Sequence, residues 1–293
     1  MDLGVFDTGI AKIRTRDECC ATLMARFERH RCTPAANPHD RRLDPALRTT
    51  DDAGRPMTLR SRHGHSNTAR MWVDMAKSRD DHLWALVHAE RSALAEDLSD
   101  LDAEQWRHPT LCGKWDVEEV VAHLTAAASL NQWRWFQSML GARFRVDVHN
   151  QRRMVEHRGS DPGATLTQFK AIIASTTAPS GHTPAYLGEV VVHAQDIRQP
   201  LALPRTPHVD ALTPVADFFA RRNFTVASRT AVAGLELRAD DGPFGAGAGP
   251  LVTGSTLALV MSMAGRAPYL DQLDGPGVAT LRARVQGDTA QSR

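Results

Sequence analysis

Glu189 and His193 lie four apart in Gly188-Glu189-Val190-Val191-Val192-His193. Residues at that spacing share one helix face, so a carboxylate and an imidazole project together. His123 stands in Val120-Val121-Ala122-His123-Leu124, beside the apolar stripe of a different segment. Where two such faces meet inside a bundle, the three make a set of two imidazoles and one carboxylate. That set suits zinc and leaves one coordination position open for water or substrate. Spacing alone leaves a plainer reading open: a polar pair on a solvated face, and a histidine at the core edge.

The segments that must position these residues are legible as helices. From His82 onward, Leu83, Val87, Leu94, Leu98 and Leu101 recur at helical spacings, which predicts an amphipathic helix. Asp116 with Glu119 forms a capping-box pattern that opens a second helix, expected to run through Trp133 and Phe136 toward Gly141. Polar residues from Arg143 to Gly159 read as a connection with some helix. Asp161-Pro162 opens a third helix, with Leu166, Phe169, Ile172 and Ile173 on its apolar face. A fourth runs from Pro184 to Arg198, so residues 78–205 predict a four-helix bundle. After Pro207 the pattern changes to a helix over Val209–Ser228, a strand over Ala233–Arg238, and a turn at Asp240-Asp241-Gly242. The glycine-rich run Gly245–Gly254 reads as a hairpin loop; it lacks the Lys-Ser/Thr of a phosphate loop. Ser255 caps one more helix, and residues 277–285 form a last helix or strand. Residues 206–293 are therefore expected to form a small α/β C-terminal domain, and the fold class is mainly α.

Residues 1–77 differ. Thr33–Arg70 has no period and few large apolar residues, so this stretch reads as a disordered extension, or as the product of an over-extended start. The extension carries 14 basic and 10 acidic residues with the signs mixed, the pattern of a solvated tail rather than a nucleic-acid arm. Residues 10–31 could form one short helix. Over the whole chain of 293 residues the formal net charge is +1, which gives no electrostatic case for nucleic acid. No apolar run approaches the ~18–20 residues that cross a bilayer, and no secretory leader is visible at Met1-Asp2-Leu3-Gly4. Four cysteines (Cys19, Cys20, Cys32 and Cys112) show no zinc-knuckle spacing and are too few for a disulfide framework. A cytoplasmic protein, monomer or homodimer, is the expectation.

The stretch from Glu104 to Leu124 contains Trp106, Pro109, Thr110-Leu111-Cys112-Gly113, Trp115, Val117 and Ala122-His123-Leu124. It resembles the signature of the mycothiol-dependent maleylpyruvate isomerase family, a branch of the DinB-like metal-binding bundles. A second stretch, Gly188-Glu189, His193 and Asp196-Ile197-Arg198, looks like that family's Glu-x-x-x-His-x-x-Asp-Ile-Arg motif. Gly265-Arg266 and Leu273–Gly277 are similar to its C-terminal tail. The chain departs from the pattern at Gly113-Lys114-Trp115, where the family more often has a small residue and then Gly before Trp. That departure touches a loop, not a ligand.

The resemblance implies a divalent metal, expected to be zinc, held by His123, Glu189 and His193, with mycothiol as cosubstrate and a small electrophile as substrate. It implies a thiol-assisted cis–trans isomerase or a thiol transferase: sulfur adds to a cis double bond, the resulting single bond rotates, and elimination gives the trans product. The alternative is a non-catalytic metal-binding or ligand-sensing module on the same bundle. Cys112, Trp106 and Trp115 read as packing residues, because the implied thiol belongs to the cosubstrate. Asp196 reads as a local partner of Arg198, or as a hydrogen-bond acceptor for a ligand imidazole. No residue is assigned from sequence as catalytic or as thiol-binding.

Overall fold

The structure is a computed structural model that describes residues 64–113, 115–129, 146–178 and 181–291. Most of the expected N-terminal extension, including residues 10–31, lies outside the described residues. So does the expected course of the second helix through Trp133 and Phe136.

Helix α1 spans Gly64–Ser99. It starts inside the segment read as an extension, well before the apolar spacing begins at His82. Residues 74–82 are exposed, and Leu83 is the first buried side chain after them. Once the packed half is helical, propagation adds one backbone hydrogen bond per residue and needs no apolar face. Helix α2 covers Val117–Ser129. Its capping box is formed as expected: the Glu119 amide donates to Asp116 Oδ1 at 2.8 Å, and the Asp116 amide donates to Glu119 Oε2 at 3.2 Å. Helix α3, Val146–His157, occupies much of the polar connection. Helix α4 spans Pro162–Ala171, capped by Asp161 Oδ1 accepting from the Ala164 amide, and α5 spans Thr183–Arg198. α1, α2, α4 and α5 pack as the bundle, with α3 laid against α2.

The C-terminal unit holds α6 (Val209–Arg221), a short α7 (Ser228–Ala231), strands β1 (Glu236–Ala239), β2 (Gly245–Gly247) and β3 (Leu251–Gly254), α8 (Thr256–Met263) and α9 (Val278–Gln291). The helix expected through Ser228 stops at Arg221. The Ser228 hydroxyl donates to the Arg222 carbonyl, and Asn223 bonds Thr230 through both side-chain atoms. These local side-chain bonds outcompete a continuing helix. The glycine-rich run is not a simple loop: it supplies β2 and β3 on either side of β1, antiparallel and parallel respectively. A Cβ at Gly247 would sit 2.2 Å from the Leu235 carbonyl oxygen, so this run is glycine because two backbones touch. Every residue of α8 is buried. One apolar cluster joins Leu83, Val87 and Leu94 of α1 to Val215, Leu259 and Val285, so the bundle and the C-terminal unit share a core. Among the described residues no helix is long and apolar enough to cross a membrane.

Candidate metal centre

The loop before α2 is closed by its own chemistry. The Thr110 amide and hydroxyl both donate to the Trp115 carbonyl, at 3.1 and 2.8 Å. The Leu111 amide donates to the Asp196 carbonyl at 3.1 Å, which ties the loop to α5. The departure from the family pattern at Gly113-Lys114-Trp115 therefore leaves these closures intact. With the loop pinned to α5, the His123 face of α2 is directed at the Glu189–His193 face of α5.

Those faces meet. His123 Nε2 lies 2.8 Å from Glu189 Oε1, and His193 Nε2 lies 3.9 Å from the same oxygen. The two imidazole rings stand edge to face with centroids 5.2 Å apart. Both histidine side chains are 12% exposed and Glu189 is 21% exposed, so the cluster is sheltered yet reachable. Tetrahedral zinc with ligand distances near 2.0–2.2 Å needs donors about 3.3 Å apart, and the two measured separations bracket that value. All three ligand atoms lie within 4.8 Å of one another. The residues fit the implied group: two imidazoles and one carboxylate converge, and the far ring nitrogen of His193 is already engaged.

That engagement is with Asp196. His193 Nδ1 lies 3.0 Å from Asp196 Oδ2, and Asp196 is fully buried. The local Asp196–Arg198 pair does not form. Residues two apart on a helix point to different sides, so Arg198 pairs with Asp97 of α1 at 2.8 Å. The partner of Asp196 is Arg266, from the segment after α8. In the sequence Gly265-Arg266 stands only in a tail motif, and no local spacing reveals a contact across 70 residues.

Electrostatics follow the geometry. Burial works against the Glu189 carboxylate, but the hydrogen bond from His123 and the charges of His123, His193 and Arg266 prevail and hold it down at about 2. Burial likewise disfavours charged His193, yet Cys112 and Asp196 outweigh it and raise the imidazole to about 10. Burial also opposes ionised Asp196, and the bonds from Arg266 and His193 overcome it and lower its pKa.

Two residues read as packing sit in the wall of the site. The Trp115 ring lies 4.8 Å from the His123 ring, centroid to centroid. The Cys112 sulfur lies within 4.8 Å of ligand atoms of His193 and Asp196. Asp196 already spends its oxygens on Arg266 and His193, so this second grouping lacks a free carboxylate. Trp106, 4% exposed, is core as expected.

No curated protein matches this chain. Two crystal structures resemble it, one of the mycothiol-dependent maleylpyruvate isomerase and one of a mutant of it. Each is 17% identical, covers 67% of this chain and 92% of the other, and has a TM-score of 0.47. Residues 87–178 match the family model described as the mycothiol maleylpyruvate isomerase N-terminal domain. The matched span contains His123 and ends before Glu189. Residues 87–178 thus carry the mycothiol maleylpyruvate isomerase N-terminal domain, as the 104–124 signature leads one to expect.

Proposed function

We propose that this chain is a mycothiol-dependent, divalent-metal enzyme acting as a thiol-assisted cis–trans isomerase or a thiol transferase on a small electrophile. The observation that carries the reading is the convergence of His123, Glu189 and His193 from α2 and α5. His123 Nε2, a Glu189 oxygen and His193 Nε2 would hold the ion. When bound, a zinc-like ion supplies a Lewis acid that lowers the pKa of a thiol in its open position.

The chain's own residues do the rest. Glu189 stays a carboxylate through the neutral range and is ready to ligate without losing a proton. Asp196 accepts from His193 Nδ1, which leaves Nε2 directed toward Glu189. Trp115 covers His123 from one side and restricts water there. In the isomerase version, the cosubstrate's sulfur adds to a cis carbon–carbon double bond, the single bond rotates, and elimination returns the thiol. The matched family carries mycothiol in its name, which supports the choice of thiol.

The test is metal analysis of the purified protein, then turnover of maleylpyruvate and a panel of thiol-reactive electrophiles with and without mycothiol. Thiol-dependent turnover supports the proposal. Equal rates without thiol remove it. One bound metal per chain with no turnover on any substrate moves the reading to a sensing module.

A further inference from the structure

All three proposed ligands lie in the bundle, yet the C-terminal unit reaches into the site through one side chain. Helix α8 ends in a glycine-terminated turn: the Gly265 amide donates to the Ser262 carbonyl at 3.0 Å, and the Arg266 amide to the Met261 carbonyl at 2.9 Å. Gly265 has φ +85°, the left-handed conformation this helix ending requires. The turn reverses the chain and sends Arg266 back onto α5.

There the guanidinium forms a fork. Nε donates to Asp196 Oδ1 at 2.9 Å and Nη2 to Asp196 Oδ2 at 2.6 Å, while Nη1 donates to the Ala264 carbonyl at 2.7 Å. The third bond braces the arginine against its own turn. The first two fix the plane of the carboxylate, because two parallel bonds remove its freedom to rotate. The same Oδ2 takes the His193 ring at Nδ1. A carboxylate fixed in plane fixes the ring, and the ring then presents Nε2 on the side of Glu189 and His123.

We propose that Arg266 is a positioning residue of the metal centre. It acts through Asp196 to hold the His193 ring in its ligating orientation, so the C-terminal unit completes a site whose ligands the bundle supplies. This rests on the metal-binding reading above. A neighbouring contact provides an internal control. Tyr269, in the 3-10 helix Ala267–Gln272, donates its hydroxyl to Gln195 Oε1 at 3.1 Å. It joins the same two parts of the molecule one residue away without touching a ligand.

The experiment measures zinc and cobalt affinity of the full chain by chelator competition, with the cobalt absorption spectrum as a report on ligand geometry. Arg266→Ala should bind metal 10–100-fold more weakly, the usual effect of losing a partner behind a ligand histidine. Arg266→Lys keeps the charge but not the fork, and should recover only part of that loss. Asp196→Asn should match Arg266→Ala, and the double variant should lose little more than either single one, because both act on one path. Tyr269→Phe should retain wild-type affinity and spectrum. If Arg266→Ala does not fold, Arg266→Lys and Asp196→Asn still decide the matter. Wild-type affinity in folded Arg266 variants, an equal loss in Tyr269→Phe, or additive losses in the double variant would overturn the positioning role alone. Wild-type protein without measurable metal affinity would instead overturn the metal reading on which it stands.

Discussion

His193 and Glu189 form a sheltered acid–base pair whose titration contributes to how this protein responds to pH. The imidazole is raised from 6.5 to about 10, so its contribution to metal-free stability is complete below 6.5 and is lost as pH rises toward 10. The carboxylate is lowered from 4.5 to about 2, so its contribution is complete above 4.5 and is lost as pH falls toward 2. Together they favour the metal-free fold between 4.5 and 6.5. A ligating metal must displace the His193 proton, so metal affinity should rise with pH over the window in which that proton is held. The stabilisation conferred by metal should therefore grow between about pH 6 and pH 8. Thermal melts with zinc and with chelator check this; a metal-induced shift that is flat across that range would contradict it. Alanine at His123 or at His193 should abolish metal binding, measured as metal per chain after desalting.

Each bundle helix is held by devices that can be tested one at a time. The Asp116–Glu119 box starts α2 two turns before His123, and Asp116→Ala should cost about 1 kcal/mol in urea unfolding. A loss near zero would mean that packing alone starts this helix. Glu90 of α1, 8% exposed, carries the opposite cost. Burial raises its pKa, and the attraction of Arg198 and Arg205 does not compensate. A carboxyl raised on folding opposes folding above its folded pKa and ceases to oppose it in acid. Glu90→Gln should therefore raise the melting temperature at about pH 7.5 and have little effect near about pH 4. A lower melting temperature at about pH 7.5 would show that the Arg198 interaction is worth more than the burial costs.

At the scale of the molecule, the shared core predicts one cooperative transition. Trp84, Trp106 and Trp115 pack in the bundle and no tryptophan follows Trp135, so fluorescence does not report the C-terminal unit, whereas far-ultraviolet circular dichroism reports every helix. The two signals should melt together, because Val215, Leu259 and Val285 belong to the same apolar cluster as Leu94 and Leu98. Separate midpoints would show two independent units. Gly188 marks a close approach between them: a Cβ there would lie 3.1 Å from Phe219 of α6 and 3.2 Å from Val215. Gly188→Ala should consequently destabilise the protein by about 1 kcal/mol or more through overpacking, despite alanine's higher helix propensity. A more stable Gly188→Ala would show that α6 can give way there.

The bundle helices, and two of the three side chains that converge between them, are legible in the chain because their information is local. Helical spacing exposed the apolar faces of α1, α2, α4 and α5, capping residues marked where α2 and α4 begin, and the Glu189–His193 spacing placed two donors on one face. Spacing leaves the pairing of His123 with them open, and it is the resemblance of the 104–124 and 188–201 stretches to the isomerase family that favours it. Other features had no local signature. The upstream start of α1 is propagation beyond the segment whose apolar spacing marks a helix. The strands in Gly245–Gly254 depend on a backbone contact with β1, and glycine's lack of a side chain hides that contact from any pattern of burial. Cys112 and Trp115 line the site because the 110–115 loop is tied to α5. Arg266 bonds Asp196 across 70 residues through a fork of two hydrogen bonds. Such a bond depends on where a helix end points, and that direction is set only when the C-terminal unit packs onto the bundle.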